Sequence, residues 1–562
     1  MRYRLSSAMF AALLASSALA ADVDTLISGG TIYDGSGGAP YPGWVAVKGD
    51  RIVALGKAGT APPAAAKVID ATGKAVSPGF VNMLSWATES LIADGRGLSD
   101  ITQGVTLEVM GEGNSMGPLN PAMKVQMAKD QADITYPVTW TTLGEYLTFL
   151  EKKGIAPNVA SFVGATTVRV HEIGEGDVDP TPAQLAAMQK LVRQAMNEGA
   201  MGVGSSLIYA PAFFAETPEL IALAKASADC GGMYISHIRN ESDHIDTAIA
   251  ELIEISKASG GPAEIYHLKQ AGKENWGKLD AVIAQVEAAR AAGQRITANM
   301  YTYTAGATGL DASMPLWVQA GGTQAWIARL KDPATRAKVV AEMRQPFPGQ
   351  ENLLLAAGSP DKVLLIGFKN PALKKYTGMS LAQVAKLRGT SPEDTAIDLV
   401  IEDGTRVGTV YFLMDEANVA RQTGLPWMAF GSDAEAQAPE GAFLLSSTHP
   451  RAYGNVSRLL GKYVREENKA TLPDAIRRLT SFPATNLGIT DRGLLKAGNY
   501  ADVVVFDPAK IIDHATYEKP QQLSTGVDQV FVNGVQVLQD GKPTGKAAGR
   551  FVKGPGAGKC AS

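Results

Sequence analysis

The middle of the chain alternates segments with helical spacing and segments with the composition of short strands, and this alternation limits the fold most. Apolar residues keep helical spacing from Leu185 to Met196, Gly199 ends that segment, and an apolar strand follows at 201–205. The alternation then continues as far as the strand at 295–298. Because each helix returns the chain to begin another parallel strand, the pattern predicts an α/β fold with a (β/α)8 TIM-like barrel.

Both ends of the chain contain short strand segments separated by turn residues. Near the carboxyl end, Asn533-Gly534 joins the apolar segments 530–532 and 535–537, which is typical of a tight hairpin. The amino end repeats this kind of pattern. We therefore expect a small β-sandwich formed by both termini, from residues 21–75 and 490–562.

The barrel is then expected at 76–489, with an insertion at about 310–395 where the alternation stops. The chain has 52 Lys and Arg against 56 Asp and Glu, so it lacks the basic balance of nucleic-acid binders. Its 45% hydrophobic and 19% charged residues indicate a globular protein. We expect a small-molecule partner and no nucleic acid, and a homo-oligomer is compatible with the sequence.

The first twenty residues have the pattern of a signal peptide. Arg2 and Arg4 precede an apolar segment, and small residues end at Ala20, after which we expect cleavage. An uncleaved anchor is the alternative, but the apolar segment is too short to span a membrane. No later segment reaches that length. We do not expect Cys230 and Cys560 to form a disulfide, and a long exported chain without disulfides suits a bacterial periplasm better than a eukaryotic secretory route.

Two histidines follow consecutive predicted strands. His237 ends the strand at 234–236 and His267 ends the strand at 264–266. Catalytic residues of parallel barrels project from the carboxyl ends of strands, so both imidazoles are expected at one barrel mouth. Two structural histidines are the alternative interpretation. His171 also lies near a predicted strand end.

Acidic residues in similar places complete a candidate metal site. Asp433 ends a late apolar strand, and a carboxylate beside a metal-activated water can accept its proton. Glu112 lies in a Gly-rich turn after an early strand, and Glu108 within that strand is the alternative ligand. Two histidines and one glutamate form a known catalytic zinc set, whereas two cysteines cannot build a thiolate cluster.

Several motifs over most of the mature chain carry a resemblance to a known family. They lie at 26–35, 76–80, 207–211, 236–241, 301–305, 431–433, 448–454 and 498–506. The sequence resembles the amidohydrolase superfamily and, within it, the N-acyl-D-amino-acid deacylase (D-aminoacylase) group. The resemblance implies a metal-dependent hydrolase of C–N bonds that acts on N-acyl amino acids, with the D-configuration favoured.

The sequence departs from that family at two ligand positions. Leu84 and Trp86 occupy the places of a His-x-His motif and are expected to form a pocket wall. Glu112 is aligned with the family's cysteine ligand. The resemblance therefore implies one zinc ion per chain, held by Glu112, His237 and His267. Lys269 is considered as a carbamylated metal bridge, as in other branches of the superfamily.

The resemblance also implies roles around this metal. Asp433 would act as the base and then protonate the leaving amine, Arg451 would bind the substrate α-carboxylate, and Tyr209 and Tyr303 would line the pocket. Two alternatives stay open. One is hydrolysis of another amide-like bond, in a lactam, lactone, carbamate or dipeptide. The other is a catalytically degenerate barrel that only binds a ligand, because both histidines of the family motif are absent.

Overall fold

The computed structural model describes residues 22–560. The predicted signal peptide and its cleavage site at Ala20 lie outside the described residues. Within residues 22–560, no helix combines the length and the apolar character needed to cross a membrane.

Eight parallel strands form the barrel, which confirms the predicted fold class. They are Phe80–Asn82, Val105–Met110, Asn158–Ser161 with its continuation Val163–Gly164, Gly202–Ser206, Met233–His237, Ala263–Ile265, Ile296–Met300 and Met428–Phe430. The Met83 backbone N–H donates to Phe430 O at 3.0 Å and joins the first strand to the last. The strand residues are buried because helices cover the outside of the barrel, as all-parallel sheets require.

Helices with local stop and start signals follow the barrel strands. In the helix Pro182–Glu198, Thr181 and Gln184 form a capping box, and Gly199 ends the helix at a φ of 120°. The α-helices outside the insertion are Ser90–Ala93, Leu98–Ile101, Pro121–Asp130, Leu143–Lys153, Ala165–Ile173, Pro182–Glu198, Thr217–Ala228, Ile245–Ser259, Leu279–Ala291, Glu416–Gln422, Arg451–Arg458, Leu472–Leu479 and Ser481–Asn486. A π-helix spans Leu459–Glu466, and short 3-10 helices span Ala212–Phe214, Lys273–Lys278 and Gly441–Leu444.

A separate subdomain lies between the last two barrel strands. Its antiparallel sheet pairs Gly306–Gly309 and Val363–Gly367 with Gly408–Tyr411, so it extends on both sides of the predicted insertion at 310–395. Its α-helices are Leu316–Gln319, Gly322–Leu330, Pro333–Met343, Leu353–Ala357, Leu381–Arg388 and Pro392–Asp403, and its 3-10 helices are Leu310–Ser313, Pro360–Lys362 and Lys374–Tyr376. These elements surround a hydrophobic core of their own, which explains why the barrel alternation stops here.

Both termini contribute to one nine-stranded sheet. Its strands are Val23–Ile32, Tyr41–Lys48, Arg51–Lys57, Ala65–Asp70, Ala75–Pro78, Val503–Phe506, Val527–Val532, Val535–Gln539 and Lys542–Pro543. The strand Val503–Phe506 pairs antiparallel with Ala75–Pro78 and joins the two ends of the chain. Asn533 and Gly534 have φ values of 48° and 78°, which suits the predicted hairpin turn.

The last residues run across the amino ends of the barrel strands, and this tail corrects the prediction about the cysteines. Gly549 and Gly554 donate backbone hydrogen bonds to Ile155 O and Gly199 O at 2.7 and 2.9 Å. Cys560 then forms a disulfide with Cys230, contrary to our expectation. The prediction failed because a Gly- and Lys-rich tail suggested a solvated end, whereas the structure packs this segment along the barrel.

Candidate metal centre and active site

His237 and His267 project from neighbouring strands into the same end of the barrel. His237 is the last residue of the strand Met233–His237, and His267 lies two residues beyond the strand Ala263–Ile265. Both side chains are buried, and their ring centroids are 4.4 Å apart. His267 has a φ of 32°, in the left-handed region that non-glycine residues seldom adopt. The structure therefore brings together the two imidazoles that the strand pattern predicts.

Glu112 supplies a carboxylate to both imidazoles. It follows the strand Val105–Met110 in a turn where Gly111 has a φ of 105°, a conformation that favours glycine. Glu112 Oε1 lies 3.1 Å from His237 Nδ1 and 2.8 Å from His267 Nε2. One potential ligand atom from each residue lies within 4.8 Å of the others. Two imidazole nitrogens and a carboxylate oxygen are a donor set used by catalytic zinc.

The electrostatics of these three residues fit a cation. Burial would raise the pKa of Glu112, but the imidazoles of His267 and His237 lower it below its usual range. Burial and Lys269 would lower the pKa of His267, but the carboxylates of Glu241 and Glu112 raise it to about 9. Burial lowers the pKa of His237, whose Nδ1 faces Glu112 while its Nε2 lies 3.4 Å from Glu241 Oε2. An anionic carboxylate in contact with two imidazole nitrogens is an arrangement that a metal ion would suit.

Glu241 and Lys269 lie behind the imidazoles, and sequence reasoning did not place Glu241 in the site. Lys269 Nζ donates to Glu241 Oε1 and Oε2 at 2.7 and 2.8 Å, and Glu241 Oε1 lies 3.1 Å from His267 Nδ1. Burial would raise the pKa of Glu241, but Lys269 and the imidazoles lower it. Lys269 Nζ is thus engaged by the Glu241 carboxylate, and the carbamylated bridge considered from the sequence stays a prediction. The available signal was the position of Glu241, four residues after His237.

Asp433 faces this centre from the last barrel strand. It follows the strand Met428–Phe430, has a φ of 50°, and donates its backbone N–H to Leu84 O at 2.9 Å. Asp433 Oδ2 lies 2.8 Å from Arg451 Nη2, and Asp433 Oδ1 accepts from Trp86 Nε1 at 3.1 Å. Burial raises the pKa of Asp433 although Arg451 opposes the shift. A carboxylate with a raised pKa is a better proton acceptor near neutral pH.

Leu84 and Trp86 have different roles, although both stand where the resemblance expects histidine. Leu84 is fully buried in the barrel core against Gly431, and its predicted part in the pocket wall stays a prediction. Trp86 is half-buried, and its Nε1 donates to Glu112 Oε2 at 3.0 Å as well as to Asp433. The indole is therefore a wall of the site that also carries a polar contact.

Arg451 lies beside Asp433 with much of its hydrogen-bonding capacity unused. Its backbone N–H donates to His449 Nδ1 at 3.0 Å, and His449 Nε2 lies 2.9 Å from Ala305 O, so His449 orients the loop. Within the described residues, Arg451 Nε and Nη1 are buried and have no partner. The guanidinium lies 4.4 Å from the Tyr301 ring centroid, a contact that was not predicted. Unpaired buried guanidinium N–H groups are costly, so they indicate a place for an anion.

The two tyrosines predicted to line the pocket differ in position. The Tyr209 ring meets the His237 ring edge-on with centroids 5.4 Å apart, which places it at the centre. Tyr303 is buried, and its hydroxyl donates to Asp513 Oδ2 at 3.0 Å. The Tyr303 hydroxyl is thus engaged by the carboxyl-terminal segment, and Tyr301 is the tyrosine that contacts Arg451.

The alternative ligand Glu108 lies inside the barrel and away from the imidazoles. Its Oε2 accepts from Asn82 Nδ2 at 2.9 Å, and burial raises its pKa to about 7. His171 is not at a strand end, because it belongs to the helix Ala165–Ile173 and its Nδ1 lies 2.8 Å from Glu172 Oε1. Of the two glutamates that the sequence offered as ligands, Glu112 is therefore the one that the structure places with the histidines.

Comparisons with known proteins agree with this geometry. A family model described as the amidohydrolase family matches residues 377–538. The chain is 31% identical to a D-aminoacylase of Alcaligenes xylosoxydans xylosoxydans, over 94% of this chain and 97% of that protein. A solved D-aminoacylase is 30% identical to this chain with a TM-score of 0.78, and the match covers 94% of this chain and 100% of that chain. That structure is described in terms of the functional role of its binuclear metal centre, with one-metal activation and second-metal attenuation.

A solved N-acyl-D-glutamate deacylase of Bordetella bronchiseptica, complexed with zinc and a phosphonate inhibitor, is 29% identical with a TM-score of 0.77. The match covers 94% of this chain and 99% of that chain. Similarity over nearly the whole of each chain defines the protein as a hydrolase of the amidohydrolase family. Within that family it belongs to the N-acyl-D-amino-acid deacylase group, and Leu84 and Trp86 stand where the resemblance expects a His-x-His motif.

Proposed function

We propose that this protein hydrolyses the amide bond of N-acyl amino acids, with the D-configuration favoured, at a centre that holds one zinc ion. Glu112, His237 and His267 would hold the zinc. The observation that carries the proposal is the position of Arg451, whose unpaired guanidinium N–H groups lie beside Asp433 at this centre. The deacylase relatives support the substrate class. Export to the periplasm or the cell exterior is proposed from the amino-terminal pattern alone.

The residues around the metal ligands keep them in place. When bound, zinc supplies Lewis-acid chemistry, which lowers the pKa of water and polarises a carbonyl group. Glu241 contacts the Nδ1 side of His267 and so fixes which ring nitrogen turns toward Glu112. Lys269 holds both oxygens of Glu241, so the orientation of His267 rests on a buried ion pair.

Asp433 moves the proton in this reaction. A water molecule gives a proton to Asp433 and adds its oxygen to the acyl carbonyl. Asp433 then gives that proton to the amide nitrogen, the C–N bond breaks, and the products are a carboxylic acid and an amino acid. Asp433 Oδ2, which faces Arg451 in the free protein, can change partners when Arg451 binds the substrate.

Arg451 recognises the substrate through its α-carboxylate. A planar guanidinium binds a carboxylate through two parallel N–H···O bonds from one edge, which pairs Nη2 with either Nε or Nη1. Arg451 Nε and Nη1 have no partner within the described part of the chain, and Nη2 would leave Asp433 Oδ2 to complete such an edge. Tyr301 covers the guanidinium, and Tyr209 stands over His237. An acyl amino acid could therefore place its carboxylate at Arg451 and its amide at the metal centre.

Hydrolysis of matched substrates tests the proposal. We expect turnover of N-acetyl-D-amino acids above that of the L-enantiomers. Arg451→Lys keeps the charge and loses the bidentate geometry, so it should impair a free-acid substrate far more than its carboxamide analogue. Equal losses on both substrates would show that Arg451 does not bind the carboxylate.

Two other results would replace the proposal. Turnover confined to lactams, lactones, carbamates or dipeptides would mean that the same centre cleaves another bond. Protein purified without added zinc that contains no metal and has no activity with zinc restored would be a ligand-binding barrel.

A further inference from the structure

The side chain of Trp86 joins the two carboxylates of the site through a single N–H group. Its Nε1 lies 3.0 Å from Glu112 Oε2 and 3.1 Å from Asp433 Oδ1, so one donor is shared by two acceptors. Shared hydrogen bonds of this kind are common in proteins, but here the acceptors follow the two strands that flank the first barrel strand, which precedes Trp86. Glu112 follows the second barrel strand, whereas Asp433 follows the last one.

The remaining oxygen of each carboxylate faces a different group. Glu112 Oε1 meets the imidazoles of His237 and His267, and Asp433 Oδ2 meets Arg451. Within residues 22–560, no other side chain donates a hydrogen bond to Glu112 Oε2 or Asp433 Oδ1. In that part of the chain, Trp86 is therefore the one side chain that holds these two oxygens.

The backbone holds the indole in this place. Trp86 donates its backbone N–H to Ala434 O at 2.9 Å, and Asp433 donates its backbone N–H to Leu84 O at 2.9 Å. Two backbone hydrogen bonds thus join the segment that carries Trp86 to the segment that carries Asp433. The position of Nε1 between the two carboxylates is therefore set by the backbone contacts that close the barrel.

We propose that Trp86 is a positioning residue. Its indole N–H attracts the carboxylates of Glu112 and Asp433, as a second cation placed between them would. The partial positive charge of the N–H holds Glu112 Oε2 and Asp433 Oδ1, which fixes both carboxylates for a centre with one metal. The part that concerns Asp433 rests on the proposed function, whereas the part that concerns Glu112 requires only that a metal binds.

Trp86→Phe tests this role because it keeps an aromatic ring and removes the N–H. Loss of a partner behind a metal ligand typically costs about 10–100-fold in metal affinity or activity. We therefore expect zinc affinity, measured by competition with a chelator, to fall by roughly 10-fold. At saturating zinc we expect kcat to fall by about 10–100-fold while KM changes less than about 3-fold, because Trp86 acts through Asp433.

Trp317→Phe is the matched control. The Trp317 indole also donates to a carboxylate, Glu342 Oε2 at 2.7 Å, but this pair is exposed in the insertion. It should leave zinc affinity and kcat unchanged. In an Asp433→Asn background, Trp86→Phe should add little further loss of kcat, because residues that act through one another are not additive.

Wild-type zinc affinity and kcat in Trp86→Phe would overturn the proposal, as would an equal loss of kcat with and without Asp433. If Trp86→Phe does not fold, benzothienylalanine at position 86 replaces the N–H by sulfur in an isosteric ring and decides the same question. Weaker zinc binding in protein that hydrolyses no acyl amino acid would refute the proposed function and leave the Glu112 role of Trp86 supported.

Discussion

The two carboxylates of the centre, Glu112 and Asp433, are contacted by different kinds of side chain. On one side, His237 and His267 meet Glu112, and Glu241 with Lys269 supports them. On the other side, an indole and a leucine stand near Asp433, and Arg451 forms an ion pair with it. The difference teaches that the proposed metal ligands and the proposed proton acceptor are held by different partners, with the Trp86 indole as their shared contact.

The largest effect on zinc content and activity is expected from removal of an imidazole. His267→Ala removes a group that contacts both Glu112 and Glu241, so zinc and hydrolytic activity should be lost together. Metal analysis after gel filtration and an acyl-amino-acid assay measure the two losses. His244→Ala, at an exposed helix start, should keep both. Activity in a zinc-free His267→Ala protein would contradict the assignment.

The next effect isolates the Asp433 side. Asp433→Asn removes the proton acceptor and leaves the three ligands untouched, so zinc should be retained. We expect kcat to fall by about 10²-fold or more, the usual scale for a general base. Steady-state kinetics with measured zinc content checks the separation. A near wild-type rate would reject Asp433 as the base, and loss of zinc would show that the two sides are not independent.

Placing histidines at positions 84 and 86 should not create a second zinc site. In the double variant Leu84→His with Trp86→His, the first imidazole enters a fully buried core site. We expect no second zinc and a loss of stability of about 1–3 kcal/mol, because a buried polar group lacks partners there. Zinc stoichiometry and thermal unfolding measure these outcomes. Two zinc ions with a higher rate would show that the second site is intact but unused.

The smallest expected effect is on the pH dependence of the free energy of unfolding, and it concerns Glu108 inside the barrel. Asn82 Nδ2 contacts both Glu108 Oε2 and Ser432 Oγ, at 2.9 and 2.8 Å. Burial raises the folded-state pKa of Glu108 to about 7, above its unfolded value. The folded state then binds the extra proton, so this group lowers stability as pH rises toward and through 7.

Glu108→Gln cannot ionise, and it should therefore lose the part of the pH dependence that Glu108 contributes. Asp100, whose pKa is raised by burial and by the charge of Glu108, contributes separately. We expect the free energy of unfolding of the variant, relative to the wild type, to increase by about 1–2 kcal/mol between pH 5 and pH 8. Denaturant unfolding at both pH values measures the change. The exposed Glu254→Gln is the control, and equal slopes in all three proteins would contradict the ionisation argument.

The sequence predicts the parts of the site that depend on local pattern. A residue at the carboxyl end of a strand in a parallel barrel reaches the mouth whatever its distant neighbours are, so His237, His267 and Asp433 could be identified early. Glu112 required the resemblance, because a Gly-rich turn alone does not distinguish a ligand from a loop residue. The hairpin at Asn533 could also be predicted from the sequence, because its turn residues favour the conformation of a tight turn.

What the sequence did not predict are contacts between distant segments. Trp86 and Asp433 are separated by 347 positions, and no local pattern reveals that an indole N–H meets that carboxylate. Tyr303 was assigned to the pocket by its motif, yet its hydroxyl meets Asp513, 210 positions away. That contact depends on the position of a segment near the carboxyl end, which only the tertiary structure provides.

The disulfide between Cys230 and Cys560 has a consequence for how the protein would respond to proteolysis. The two cysteines are 330 positions apart, so the bond encloses the second half of the barrel and the whole insertion in one covalent ring. A single cut anywhere inside this ring opens it without releasing a fragment. The fragments of a nicked molecule would stay joined until a reductant separates them, so cleavage products of this region would appear only under reducing conditions.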